Sequence, residues 1–228
     1  MKQLPLAIGL DVPPTFVSFC VGPNGAALHH LQHLPWPATP IYLWGPAGSG
    51  KTHLLRALAL AQRQAGAQVG WFAAGDPLPW PLPADCALVV VDRADALDAA
   101  AQQATFALFV DAASHGVQWA AGGRLPPVDL PLRDDLRSRL GWGHVFALQP
   151  LGDGDTRSVL KCEAGRRGIG LSDEVMNYLL THFDRDLGHL MALLDRLDHF
   201  ALANARPVTL PLLRLMLAEA TLPETAAP

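Results

Sequence analysis

The densest chemistry in this chain of 228 residues lies in Gly45-Pro46-Ala47-Gly48-Ser49-Gly50-Lys51-Thr52. A glycine, four residues and then Gly-Lys-Thr is the spacing of a phosphate-cradling loop. Glycine adopts backbone conformations closed to other residues, so successive N–H groups can turn inward on a polyphosphate at the start of a helix. Lys51 is placed to reach β- and γ-phosphates, and Thr52 to give its hydroxyl to Mg²⁺. His53 follows in the helix. A second acidic group fits the same chemistry. Cys86-Ala87-Leu88-Val89-Val90-Val91-Asp92 reads as a buried strand with an acid at its C-terminal end, where ligands bind in open α/β sheets. Asp92 is the candidate acid of the Mg²⁺ shell.

Other residues carry weaker signals. Arg139, in the charged stretch Asp134 to Leu140, is either a surface salt-bridge partner or a cation delivered to a phosphate, and spacing alone does not choose. His29 and His33 stand one helical turn apart, as a metal pair would. No third ligand appears at useful spacing, and a solvated helix face is the reading preferred. Metal binding is therefore expected only as Mg²⁺ with nucleotide.

The elements that must position these groups follow from hydrophobic period and punctuation. Pro40 to Trp44 reads as a short buried strand, and His53 to Leu60 as part of the helix behind the loop. Gln68 to Ala74 reads as a second strand and Pro77 to Pro83 as a surface loop. A helix is expected through Ala99 to His115, a strand at Val117 to Ala121, a short helix at Asp134 to Leu140, and a turn and last strand at Gly141 to Leu148. Alternating strands and helices predict an α/β fold with a parallel sheet flanked by helices. Beyond Pro150 the texture becomes helical: 153–167, 172–183, 186–204 and 210–220 form a small all-helical domain, with Ser172 as a cap and Glu174 in the following turn. The expected organisation is an N-terminal tail, 1–14, a nucleotide-binding α/β domain, 15–150, and a helical lid, 151–228. The tail, Met1 to Ile8, reads either as a strand tucked onto the domain or as an extended peptide whose Gln3, Leu4 and Leu6 enter another protein's groove.

Composition sets the class. Half of the residues are apolar, enough for a sizeable core, and the formal net charge of −4 offers no basic field for non-specific nucleic-acid binding. Cys20, Cys86 and Cys162 are scattered and odd in number, which suits free thiols in a reducing compartment. No apolar run approaches the ~20 residues of a membrane span, and no secretory segment is visible, so a cytoplasmic location is expected.

With these residues in place, the chain resembles the AAA+ ATPases of the bacterial DnaA initiator family over nearly its whole length. The resemblance rests on Thr15-Phe16, on Trp44 to Leu55, on Leu88 to Asp92, and on Ser138-Arg139-Leu140-Gly141-Trp142-Gly143, which matches that family's arginine-finger box. It is closer to the family's regulatory members, which inactivate the initiator after replication starts. An initiator continues into a basic DNA-binding domain, and this chain stops at Pro228 after the lid, so no sequence-specific DNA binding is expected. Gln3-Leu4-Pro5-Leu6 also resembles the peptide with which the regulators dock on the DNA polymerase sliding clamp.

The resemblance implies ADP or ATP with Mg²⁺ as ligands, the DnaA initiator and the sliding clamp as partners, and Arg139 acting in trans on ATP held by DnaA. It leaves monomer and homodimer both open. It also exposes departures. The place after Asp92, where efficient ATPases of the family put a second acid, holds Arg93. The sensor-1 and sensor-2 places align on Gly123 and Gly188, and a one-residue slip would make Arg124 or His189 the neighbour concerned. Weak or no intrinsic hydrolysis is expected, the alternative being an autonomous ATPase or loader that turns over ATP in its own oligomer.

Overall fold

The computed structural model describes residues 13–35, 39–183 and 186–221. The backbone separates into two compact units, one running from Val12 to Pro150 and the other containing the chain from Leu151 onward.

The first unit is built on a five-stranded, all-parallel sheet. Its strands are β1 (Ile41–Trp44), β2 (Gln68–Ala73), β3 (Cys86–Asp92), β4 (Gln118–Gly123) and β5 (His144–Ala147), in the order β2-β3-β4-β1-β5. Alternate side chains enter opposite faces. Ile41, Leu43, Leu88, Val90 and Ala120 pack with α1 (Gly25–Gln32) and α2 (Lys51–Gln64). Tyr42, Val89, Val91, Trp119 and Ala121 pack with α3 (Ala99–Ser114) and α4 (Asp134–Leu140). Because both faces are covered, the central strands read as continuous apolar runs rather than alternating ones.

Local chemistry explains the helices. In α2, Leu54, Leu55, Ala57, Leu58 and Ala59 are buried, a stripe recurring every three to four residues that turns toward the sheet. Asp98 caps α3 by accepting from the Ala101 N–H at 2.8 Å. Asn24, 4 % exposed, closes the rim near the end of β5: its amide donates to Gln149 O and its Oδ1 accepts from Gln149 N, each at 2.8 Å.

The second unit holds four helices, α5 (Asp153–Arg166), α6 (Asp173–His182), α7 (Leu187–Ala203) and α8 (Leu210–Thr221). Leu160, Val175, Met176, Leu179, Leu190, Leu193, Leu197, Leu213 and Met216 form its core. Ser172 caps α6 through Val175 N, with Glu174 in the first turn, as expected. Asp186 caps α7.

Two expectations need adjusting. The loop from Pro77 to Pro83 is not wholly superficial, because Trp80 within it is 6 % exposed and stacks on Phe72 with ring centroids 5.3 Å apart. An indole of that size removes a large apolar area from water when it packs on the Phe72 ring. The helix carrying His29 stops at Gln32, so His33 is its C-cap, although the two imidazoles still stack at 4.3 Å. His33 Nδ1 is engaged with His29 O at 2.9 Å, and no group of three or more metal-capable side chains occurs among the described residues.

Candidate nucleotide site and the Arg139 corner

The loop from Gly45 to Gly50 connects β1 to α2 at the C-terminal edge of the sheet. Its glycines are required by shape. Gly45 has φ +151°, and a Cβ there would stand 2.2 Å from Leu148 O. Gly50 has φ +92°, and a Cβ there would meet the Phe19 ring at 2.5 Å. Gly48 is also left-handed, at φ +73°. Pro46 and Ala47 are exposed at the crest, while Ser49 is 3 % exposed. The Lys51 ammonium lies within the loop, donating to Gly45 O at 2.8 Å, Pro46 O at 2.6 Å and Ser49 Oγ at 3.2 Å. Lys51, Thr52 and His53 form the first turn of α2, whose N–H groups have no earlier helical carbonyl to pair with and whose dipole favours an anion. The His53 imidazole turns the other way. Its Nε2 lies 2.9 Å from Thr15 O and 3.3 Å from Ser18 Oγ, tying the Thr15–Ser18 turn to the loop.

Asp92 comes to this loop across an intervening strand. β4 separates β3 from β1, yet Thr52 Oγ1 donates to Asp92 Oδ2 at 2.8 Å. Gly122 on β4 makes room: a Cβ there would lie 3.7 Å from Asp92 Oδ1 and 3.0 Å from Leu55 Cδ1. Two oxygens about 3 Å apart match adjacent corners of a Mg²⁺ octahedron with bonds of about 2.1 Å. The hydroxyl and carboxylate therefore fit the metal that accompanies a nucleotide, and the cradle fits its phosphates.

The three departures have distinct geometries. Arg93 adopts the left-handed region at φ 55°, and its guanidinium donates to Ala74 O at 2.8 Å, just beyond β2. Since β2 lies on the far side of β3 from β1, Arg93 leans away from the loop. At Gly123 a Cβ would stand 2.3 Å from the Tyr42 hydroxyl, which is itself buried and donates to Leu125 O at 2.9 Å. Burial, then the nearby Asp95 carboxylate, pushes the Tyr42 phenol well above its ordinary range. Arg124, the neighbour, is held by Asp95 through its backbone N–H at 3.0 Å and its Nε at 2.7 Å. Gly188 gives its N–H to the Asp186 cap at 2.8 Å, as does His189 at 3.2 Å, so both serve the start of α7.

Arg139 stands elsewhere. It lies in the last turn of α4, and the chain enters β5 at His144, which pairs with Ile41 at the start of β1. The cradle follows Trp44 at the other end of that strand, roughly 13 Å of extended chain away. Its neighbours are tied to acids, Arg133 to Asp135 at 2.7 Å and Arg137 to Asp134 at 2.6 Å. Arg139 makes no ion pair among the described residues. Its guanidinium lies over Trp142, 4.6 Å from the ring centroid, and 6.0 Å from that of Phe109. Sequence reading found Arg139 but not this aromatic seat; an arginine followed three residues later by a tryptophan at a helix end was the available signal. Gly122, Tyr42 and the Asn24–Gln149 pair were missed for the same reason, since each matters only through partners distant in sequence. Gln3, Leu4 and Leu6 lie outside the described residues.

Known proteins share this fold. Residues 153–217 match the family model of the Hda lid domain. Domain III of the Thermotoga maritima replication initiation protein DnaA superposes with a TM-score of 0.73 at 22 % identity, covering 92 % of this chain and 97 % of that one. The chain thus has the AAA+ fold of DnaA domain III, and its helical unit matches the Hda lid domain. AMPPCP-bound DnaA from Aquifex aeolicus matches with a TM-score of 0.64 at 21 % identity, over 80 % of this chain but only 64 % of that one. The Thermotoga maritima RuvB Holliday junction branch migration motor follows at 0.60 and 14 %, over 84 % and 64 %. The AAA+ expectation for the fold thus holds, lid included. No helix among the described residues is long and apolar enough to cross a membrane.

Proposed function

We propose that this AAA+ protein is a negative regulator of replication initiation that keeps ADP or ATP with Mg²⁺ as a resident ligand and promotes hydrolysis of ATP held by DnaA. The observation that carries the reading is Arg139: an arginine without an acid partner among the described residues, at the end of the sheet opposite its own phosphate cradle. A cation so placed serves a nucleotide on another molecule better than its own.

The residues divide the work. Gly45 to Gly50 and the first turn of α2, through His53, surround the phosphates, and the Lys51 ammonium neutralises them. Thr52 and Asp92 hold the Mg²⁺, which supplies charge neutralisation when bound. In trans, the Arg139 guanidinium meets charge that develops on the γ-phosphoryl oxygens of the partner's ATP as water attacks phosphorus and the bond to the ADP oxygen breaks. Such a contact is worth ~10³ to 10⁵ in rate. Intrinsic turnover is weak, because the place after Asp92 carries Arg93 turned toward Ala74, and Gly123 and Gly188 bring no polar side chain.

The tail residues Gln3, Leu4 and Leu6 dock on the sliding clamp in this proposal. Clamp loaded on DNA then confines the activity to replicating DNA by raising effective concentration. The second reading, an autonomous ATPase, is favoured by the intact cradle and the Thr52–Asp92 contact. Phosphate release separates the two. The regulator releases little alone and accelerates release from preloaded DnaA, whereas steady turnover of the isolated protein that is lost in Lys51→Ala supports the ATPase.

A further inference from the structure

The corner around Arg139 contains a feature that a trans-acting cation alone does not require. Trp142 is 67 % exposed, a large indole left mostly in water beside a helix end. Its position is strongly determined. Gly141 ends α4 against Pro127, the Trp142 N–H donates to Arg139 O at 3.3 Å, and Gly143 passes so close to β1 that a Cβ would stand 1.8 Å from Pro40 O. The Gly-Trp-Gly turn thus folds the indole back beneath the guanidinium, whose second aromatic neighbour is Phe109. Phe106, Asp135, Ser138, Arg139 and Trp142 line a cavity of about 260 Å³ at this place.

We infer that Trp142 is a positioning residue for Arg139, holding the guanidinium by its aromatic face so that the cation is ordered yet keeps its full charge. This rests on the reading of Arg139 as a trans-acting group. The physical reason lies in the contrast with Arg133 and Arg137. A carboxylate partner orders an arginine but cancels its charge, and must be displaced before the cation reaches a phosphate. A ring face attracts the cation through its quadrupole and leaves the N–H edge open to an oxyanion. An unsupported arginine at this surface would have to give up its rotamer freedom at each encounter.

Variants Trp142→Leu and Trp142→Phe test this, with Arg139→Ala as reference, in single-turnover hydrolysis of ATP preloaded on DnaA. Trp142→Leu is expected to lower the maximal rate about 3- to 10-fold with the half-saturating concentration unchanged, and Trp142→Phe to restore most of it. An unchanged maximal rate in Trp142→Leu, or a change confined to the half-saturating concentration, overturns the inference while Arg139→Ala remains inactive. A fully active Arg139→Ala instead removes the reading beneath it. A readout without DnaA is the ring-current shift of the Arg139 side-chain protons in the full chain. It is expected upfield in the wild type and lost in Trp142→Leu, and equal shifts in both overturn the seat itself. The indole's exposure leaves thermal stability of the variants near that of the wild type, which a melt verifies.

Discussion

Thr52 and Asp92 meet at 2.8 Å across a strand to which neither belongs, and Gly122 on that strand is what lets them. Hydroxyl and carboxylate are expected to share the same Mg²⁺ shell. Asp92→Ala should therefore weaken nucleotide binding mainly in the presence of Mg²⁺, with a smaller change in EDTA, as read by titration calorimetry. Equal losses in both conditions would remove Asp92 from the metal's surroundings.

Gly122→Val tests the room itself. The side chain's Cβ would already stand 3.0 Å from Leu55 Cδ1 and 3.7 Å from Asp92 Oδ1, and its two methyl groups need more space still. Overpacking of this kind costs about 1–3 kcal/mol. A lowered urea midpoint together with weakened Mg²⁺-dependent binding is expected; wild-type values for both would contradict the packing account.

Gly123→Asn asks whether a polar side chain at the expected sensor position raises intrinsic hydrolysis. The Tyr42 hydroxyl stands 2.3 Å from the added Cβ and is buried with its own acceptor, Leu125 O. The substitution should destabilise the domain by about 1–3 kcal/mol and leave intrinsic phosphate release low. A stable variant with faster release would mean that the glycine, not the surroundings, limits intrinsic turnover.

Acid sensitivity has an identifiable contributor on α1. His30 Nε2 is buried without a hydrogen-bond partner, and burial first, then His144 and His29, lowers its proton affinity from the ordinary value of 6.5. Well above pH 6.5 neither folded nor unfolded chain is protonated there, and the group contributes nothing to pH dependence. Below it the unfolded chain takes the proton first, so stability falls until the pH passes the lower folded value. Urea midpoints at about pH 7.5 and about pH 5.5 should differ less in His30→Leu than in the wild type. An identical difference would exclude His30 as the source.

What was legible in the sequence and what was not divide along the range of the interactions. The loop motif, the buried run ending at Asp92, the Asp134–Leu140 helix and the four lid helices were legible because each is written in contiguous residues with a period or a cap. The Tyr42 hydroxyl above Gly123, the Gly122 gap and the Asn24–Gln149 pair were not, because each joins side chains brought together only by strand order. Trp80 was hidden for another reason: proline-rich flanks predict a loop but do not say which of its side chains is buried. Arg139 fell between, visible as a charge while its aromatic seat and its lack of an acid partner among the described residues depended on how α4 turns into β5.

Clamp docking by the tail has its own test. Deleting residues 1–8 should abolish binding to the sliding clamp while leaving nucleotide affinity unchanged, and undiminished clamp affinity would remove Gln3, Leu4 and Leu6 from the interface.

The role of Arg139 is decided by hydrolysis of radiolabelled ATP preloaded on DnaA, in the presence of clamp-loaded DNA and either wild-type protein or Arg139→Ala. Acceleration by the wild type is expected, with a loss of at least about 10²-fold of that acceleration in the variant and nucleotide binding by the variant intact. Equal acceleration by both proteins would contradict it.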